Sequence, residues 1–150
     1  MPSSRQRRNT MLDASVLSSV DSASNRIVVE FVARYSAAWK QPNVSNVRAL
    51  MHADTQNLIP PMTQPGNRDS VLAHFEGVLK KVPDLSLITK RWAHSGDTVT
   101  IEWSATATVN GRPLAWSGID IIRLRGDKII DLQSYWDTQR LNADVQAARV

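Results

Sequence analysis

Residues 98–124 read TVTIEWSATATVNGRPLAWSGIDIIRL, two strand-like runs joined by Asn110-Gly111. Asn-Gly suits the positive φ angles of a two-residue type I′ turn, whose twist matches that of the strands it joins. Such a turn pairs Val109 with Arg112 and fixes every pair beyond: Ala107 with Leu114, Ala105 with Trp116, Trp103 with Gly118, Ile101 with Asp120. Opposed residues share a face, so Trp103, Trp116 and Asp120 lie on one surface, and Gly118 leaves a gap beside the Trp103 indole. Asp is depleted in strands. A carboxylate set among isoleucines must pair, protonate or do chemistry.

The same period of two extends outward into runs 85–94 and 128–137, set off by Ser95-Gly96-Asp97 and Arg125-Gly126-Asp127. In the last run Ile130, Leu132, Ser134 and Trp136 form the less charged face and are assigned inward. A three-residue Arg125–Asp127 loop then opposes Ser134 to Gly118 and Trp136 to Trp116.

Towards the N-terminus the period changes. Ile27, Val28, Phe31, Val32, Tyr35, Ala38 and Trp39 form one face of a helix over 25–40, which Pro42 ends. A short helix follows, capped by Asn43, with Val44, Val47, Leu50 and Met51 inward. Residues 54–66, with Pro60, Pro61, Pro65 and Gly66, read as irregular, with room for a short edge strand. A third helix runs from Arg68 to Val82, with Val71, Leu72, Phe75, Val78 and Leu79 on one face and Pro83 as its stop. Helices first and a meander afterwards make an α+β fold: a curved antiparallel sheet wrapped around three N-terminal helices, a cone with an internal cavity. The domain is assigned to 25–140, between a disordered basic tail (1–24) and a C-terminal tail (141–150).

Composition narrows the function. With 150 residues, 42% hydrophobic and 21% charged, the chain is one soluble globular domain. No apolar stretch approaches the roughly 20 residues that cross a bilayer, and the tail's apolar segment is too short for a secretory signal. A cytoplasmic location and no membrane partner are expected. The net charge of +4 owes much to Arg5, Arg7 and Arg8, in a tail where Met11 offers a second start. The Lys80-Lys81 and Lys90-Arg91 clusters lack interleaved exposed aromatics, so no nucleic-acid partner is expected. The chain has no cysteine, and His52, His74 and His94 are isolated, so no metal site is expected. Asp54 and Asp137 read as a turn residue and a rim charge.

What remains is the concave face, with Trp103, Trp116, Trp136, Gly118, Ser134 and Asp120. An apolar pocket with a few converging polar groups is the usual form of a small-molecule site. The plainer reading is that the tryptophans fill a core and Asp120 pairs with a basic residue at an open sheet edge.

Two stretches resemble a known superfamily. One is Arg34-Tyr35-Ser36-Ala37-Ala38-Trp39, followed by Val47-Arg48-Ala49-Leu50-Met51. The other is Gly118-Ile119-Asp120-Ile121-Ile122-Arg123-Leu124 with Gly126-Asp127-Lys128-Ile129, leading to Tyr135-Trp136-Asp137. Over residues 26–140 the chain resembles the cone-shaped superfamily of ketosteroid isomerases, SnoaL-like polyketide cyclases and limonene epoxide hydrolases, the nuclear-transport-factor-like fold. The resemblance places Tyr35 and Asp120 where the isomerases hold the tyrosine and the protonated aspartic acid of their oxyanion hole, a system often used to illustrate a carboxyl kept neutral by an apolar site. It places Ile59, before Pro60, where their general base stands. The hydrolases' Arg/Asp/Asp site matches Trp103, Ala105 and Ser134, which sets epoxide hydrolysis aside.

The resemblance implies a cofactor-free isomerase or cyclase acting on a hydrophobic polycyclic or polyketide-like carbonyl compound through an enol(ate). Asp120 and Tyr35 are the catalytic candidates, and Trp103, Trp116, Trp136, Ser134, Ile59 and Gly118 line the substrate. As an oxyanion donor Asp120 is neutral, whereas as a cyclase acid/base it rests ionised with a raised pKa. The alternative is a non-catalytic small-molecule-binding or dimerisation module of the same fold. A homodimer through the polar outer strip of Thr98, Thr100, Glu102, Ser104, Thr106 and Thr108 is expected.

Overall fold

The computed structural model describes residues 14–150, with side chains from Ser22 onward. Helix α1 (Ala14–Lys40) is followed by α2 (Val44–Ala49), β1 (Met51–Leu58), β2 (Gly66–Asn67), α3 (Arg68–Lys81), β3 (Ser86–Ser95), β4 (Thr98–Val109), β5 (Arg112–Arg125), β6 (Lys128–Trp136) and α4 (Thr138–Ala148). The six strands form one sheet in the order β2-β1-β6-β5-β4-β3. It is an open, curved sheet, and with the four helices it has the ketosteroid isomerase-like α+β architecture.

Apolar periodicity explains the helices. Val28, Phe31, Val32, Tyr35 and Ala38 of α1 are buried against Val99, Ile101, Ile122, Leu124, Ile129 and Leu132 on the inner face of the sheet. Ile27, expected on that face, is exposed. A second cluster joins Val47, Val71, Leu72 and Phe75 of α2 and α3 to Leu85, Leu87, Trp103, Ala105 and Ala107. Fully burying each such large side chain contributes about 1.5–3 kcal/mol. Asn43 and Asn67 cap α2 and α3 by accepting from Asn46 N and Ser70 N.

The β4–β5 hairpin has the register expected from its turn, Val109 with Arg112 through Ile101 with Asp120. Asn110 and Gly111 both have positive φ, 50° and 76°, as a type I′ turn requires.

The next hairpin differs from expectation. Gly126-Asp127 is a two-residue turn pairing Arg125 with Lys128, and a bulge then opposes Arg123 and Leu124 to Asp131 and Ile129. The extra residue keeps the expected inner face while sliding the pairing. Ser134 therefore opposes Asp120, and Trp136 opposes Gly118.

Three further corrections concern the ends and the middle of the chain. Residues 51–58 form a full strand, and β1 pairs parallel with β6, so the sheet is mixed and not purely antiparallel. Helix α1 starts at Ala14, inside the segment read as a disordered tail. Residues 1–13, with Arg5, Arg7, Arg8 and Met11, lie outside the described residues. The expected C-terminal tail is mostly helix α4, capped by Asp137, with Ala148 buried and Leu141 and Val145 half-buried.

Candidate active site around Asp120

The pleat of β5 decides where Asp120 points. Along 118–124 the buried residues are Gly118, Asp120, Ile122 and Leu124, and those between them are exposed. Asp120 is thus carried into the interior by the same alternation that buries two apolar residues, and it is only 4% exposed.

Three side chains from three elements meet its carboxyl. Tyr35, near the C-terminal end of α1, donates its hydroxyl to Oδ2 at 2.6 Å. The Trp103 indole N–H, from β4, donates to Oδ1 at 3.0 Å, and the Ser134 hydroxyl, from β6, donates to Oδ1 at 2.7 Å. Among the described residues no basic side chain joins them, so the carboxyl is held there by neutral donors and not by a guanidinium.

A carboxylate has about four lone-pair positions. Trp103 and Ser134 take both on Oδ1, and Tyr35 takes one on Oδ2. The remaining position on Oδ2 is the one that no side chain engages. Burial pushes the Asp120 carboxyl above the usual aspartate range, against the opposing pull of its bonds from Tyr35, Ser134 and Trp103. Tyr35 is pushed well above the usual phenol range, first by burial and then by the Asp120 charge and hydrogen bond.

The tryptophans pack tightly here. A Cβ on Gly118 would fall 2.3 Å from Trp103 Cζ2 and 2.7 Å from the Tyr135 carbonyl oxygen. Glycine is thus required for the indole to lie across β5, and the expected gap is filled by Trp103. Trp136 meets Trp103 edge-on, with centroids 5.9 Å apart. Tyr35 and Trp39 continue the aromatic row, and Trp39 packs edge-on against Phe75.

Ile59 is half-buried and packs on both apolar clusters. The pairing of Leu58 with Gln133 sets it beside Ser134. Trp116 is half-buried and lines a groove of about 430 Å³ with Ser104, Ser117, Asp137 and Arg140. A groove of about 530 Å³ lies between Lys40–Pro42 and Pro83–Ser86. Neither is lined by Asp120 or Tyr35.

Of the residues singled out in the sequence, the structure gathers Tyr35, Trp103, Ser134, Gly118, Trp136 and Asp120 in one place. Trp103 and Ser134, expected as walls, are hydrogen-bond donors to the acid. The sequence signal for Ser134 is its place across the β5–β6 pair, which the bulge concealed. Asp54 lies on β1, where its backbone N–H donates to His52 Nδ1. Asp137 caps α4. His94 bonds Asn25 and the Gly96 carbonyl, and His74 is exposed on α3. Among the described residues no three His, Cys, Asp or Glu side chains cluster as metal ligands, and no helix is long and apolar enough to cross a membrane.

Similar architecture recurs in solved structures. A protein provisionally named SnoaL-like polyketide cyclase, from Jannaschia sp. CCS1, superposes with a TM-score of 0.71 at 14% identity, covering 81% of this chain and 93% of that one. TerC, crystallised with polyporic acid, gives 0.71 at 13% identity over 80% of this chain and 98% of its own. A Catenulispora acidiphila protein of ketosteroid isomerase-like fold, bound to trimethylamine, gives 0.69 at 22% identity, covering 78% and 92%. At these identities the likeness is one of fold. No protein of curated function matches the chain in sequence. The sequence profile of the SnoaL-like domain matches residues 32–132, a span that contains Tyr35, Ile59, Trp103 and Asp120, and the chain therefore belongs to the SnoaL-like domain family.

Proposed function

We propose that the protein is a cofactor-free isomerase or cyclase acting on a hydrophobic, polycyclic or polyketide-like carbonyl compound through an enol(ate). The observation that carries this reading is the 2.6 Å bond between Tyr35 and Asp120, closed off from water among apolar side chains. Family membership supports the same class.

The chemistry follows from the donor arrangement. In the ionised state every donor around Asp120 is satisfied, and the free position on Oδ2 accepts a proton from the carbon next to a carbonyl. Burial raises the basicity of that oxygen. In the protonated state Oδ2–H turns to the Tyr35 oxygen, and the phenol is released to donate to the enolate oxygen. With Ile59 beside Ser134, Asp120 has no second carboxylate on this face to share the work. One acid removes the proton and returns it, as an isomerisation or an intramolecular aldol closure requires. Trp136, half-buried at the end of β6 and edge-on to Trp103, is the wall of this site that reaches the surface.

The test is binding of naphthols and phenols of graded acidity, which imitate an enolate oxygen. Affinity should rise with acidity and fall at least about tenfold in Asp120→Asn and in Tyr35→Phe. Indifference to both substitutions would end the catalytic reading.

A second reading has its own observation. Asp120 is held by three protein donors, and the outer face carries exposed Ile88, Ile119, Ile121 and Tyr135. These support a non-catalytic module in which two copies pair through the sheet. Sedimentation of the wild type against Ile119→Lys addresses it, since a monomer in both would exclude this pairing.

A further inference from the structure

Asn57 is the one fully buried amide of the sheet, with 0% exposure. Its Oδ1 accepts from the Thr55 hydroxyl at 3.2 Å, while its Nδ2 has no partner. Across the sheet its row is apolar: Asn57 pairs with Leu132, Leu132 with Ile122, and Ile122 with Val99. A buried N–H without an acceptor loses its bond to water and gains nothing in return, so it asks for an explanation.

A second orphan lies close by in the topology. Asn57 pairs on its other side with Gly66, and Arg68 follows two residues later at the start of α3. The Nε of Arg68 is also buried without a partner, and Arg68 makes no ion pair among the described residues. Arg Nε can only donate. Two donors with no acceptor between them fit an oxygen that arrives from outside the chain.

The spacing to Asp120 narrows what that oxygen belongs to. From Asn57, Asp120 is one same-face step along the strands and two strands across, through Ile59, Ser134 and the β5–β6 pair. Strand geometry makes this roughly 12 Å between Cα atoms. Two fused rings span such a gap.

We propose that Asn57 and Arg68 form a second polar contact of the site, receiving a carboxylate or ketone oxygen carried about two fused rings away from the group held by Asp120. The contact rests on the reading of Asp120 as a ligand site and adds the substrate's shape to it: an oxygen at each end of a flat, apolar body.

The experiment compares 2-naphthol with 6-hydroxy-2-naphthoate by quenching of tryptophan fluorescence in wild type, Asn57→Leu and Arg68→Met. The expected result is a ratio of dissociation constants of about 10 in favour of the naphthoate in wild type, falling to about 1 in both variants. Arg68, half-buried at a helix start, keeps the test open should Asn57→Leu fail to fold. A ratio near 1 in wild type, or one that survives both substitutions, would overturn the contact and leave the two donors to water. A change in one variant alone would overturn the pairing and assign the contact to that residue. Failure of 2-naphthol itself to bind wild type would instead overturn the Asp120 site, and the second contact with it.

Discussion

Asp120 and Asn57 sit on the same inner face, both closed off from solvent, and the fold treats them in opposite ways. Around Asp120 three elements each contribute one donor. Around Asn57 a single neighbouring hydroxyl satisfies the oxygen and nothing satisfies the nitrogen. The first is a network in which removing the acceptor strands every donor. The second is a polar group whose removal strands almost nothing. Burial alone therefore does not measure how much a polar residue contributes to stability, because the partners left behind decide the sign.

The largest effect that would sharpen this contrast is the loss of the acid. Asp120→Leu leaves the Tyr35, Trp103 and Ser134 donors without an acceptor, and urea unfolding should show a loss of about 3–5 kcal/mol. A loss below about 1 kcal/mol would break the contrast, since the donors would then have partners elsewhere.

Tyr35→Phe is next, at about 1–2 kcal/mol, with a signature in proton affinity. The Tyr35 bond pulls the Asp120 pKa down against burial. Removing it should therefore raise the carboxyl further, as read by carboxyl-resolved NMR. The sign for stability follows from the raised folded value. The stability linked to Asp120 is complete below the ordinary aspartate value of 3.8 and is lost as pH rises through the folded pKa. The variant should extend that loss to higher pH.

The smallest effect belongs to the other member of the pair. Thr55→Val with Asn57→Leu removes donor and acceptor together, and stability should stay level or rise by up to about 1 kcal/mol. A loss beyond about 2 kcal/mol would show that the amide is satisfied after all.

The sequence revealed the β4–β5 hairpin because two kinds of information agreed there. Asn110-Gly111 dictated the turn, and the alternation from Val99 to Ala107 dictated the face. At β5–β6 the face was legible in Ile130, Leu132, Ser134 and Trp136. The bulge was not, because a one-residue slip is corrected by geometry and leaves no mark on composition. Strand β1 is legible only as room for a short edge strand, because its inner face is Met51, Thr55 and Asn57, too polar to show a hydrophobic period. Helix α4 was legible in principle, since Leu141, Val145 and Ala148 recur at helical spacing after a capping Asp137. Of the site, the acid and its phenol were legible from one anomalous residue and a family resemblance. The Trp103 indole was already on the face of Asp120 by the β4–β5 register, whereas the Ser134 hydroxyl needed the true β5–β6 register.

The place of β6 has a consequence for how the molecule is made. This strand is the last of the six to be synthesised, yet it lies between β5 and β1, joining the early part of the chain to the late part. Until residues 128–136 have left the ribosome, β1 and β2 have no sheet to join. Until then the part of α1 that meets Ile129 and Leu132 stays uncovered. A nascent chain that stalls after β5 is a predicted substrate for chaperones and proteases, and maturation of the protein is paced by residues 128–136.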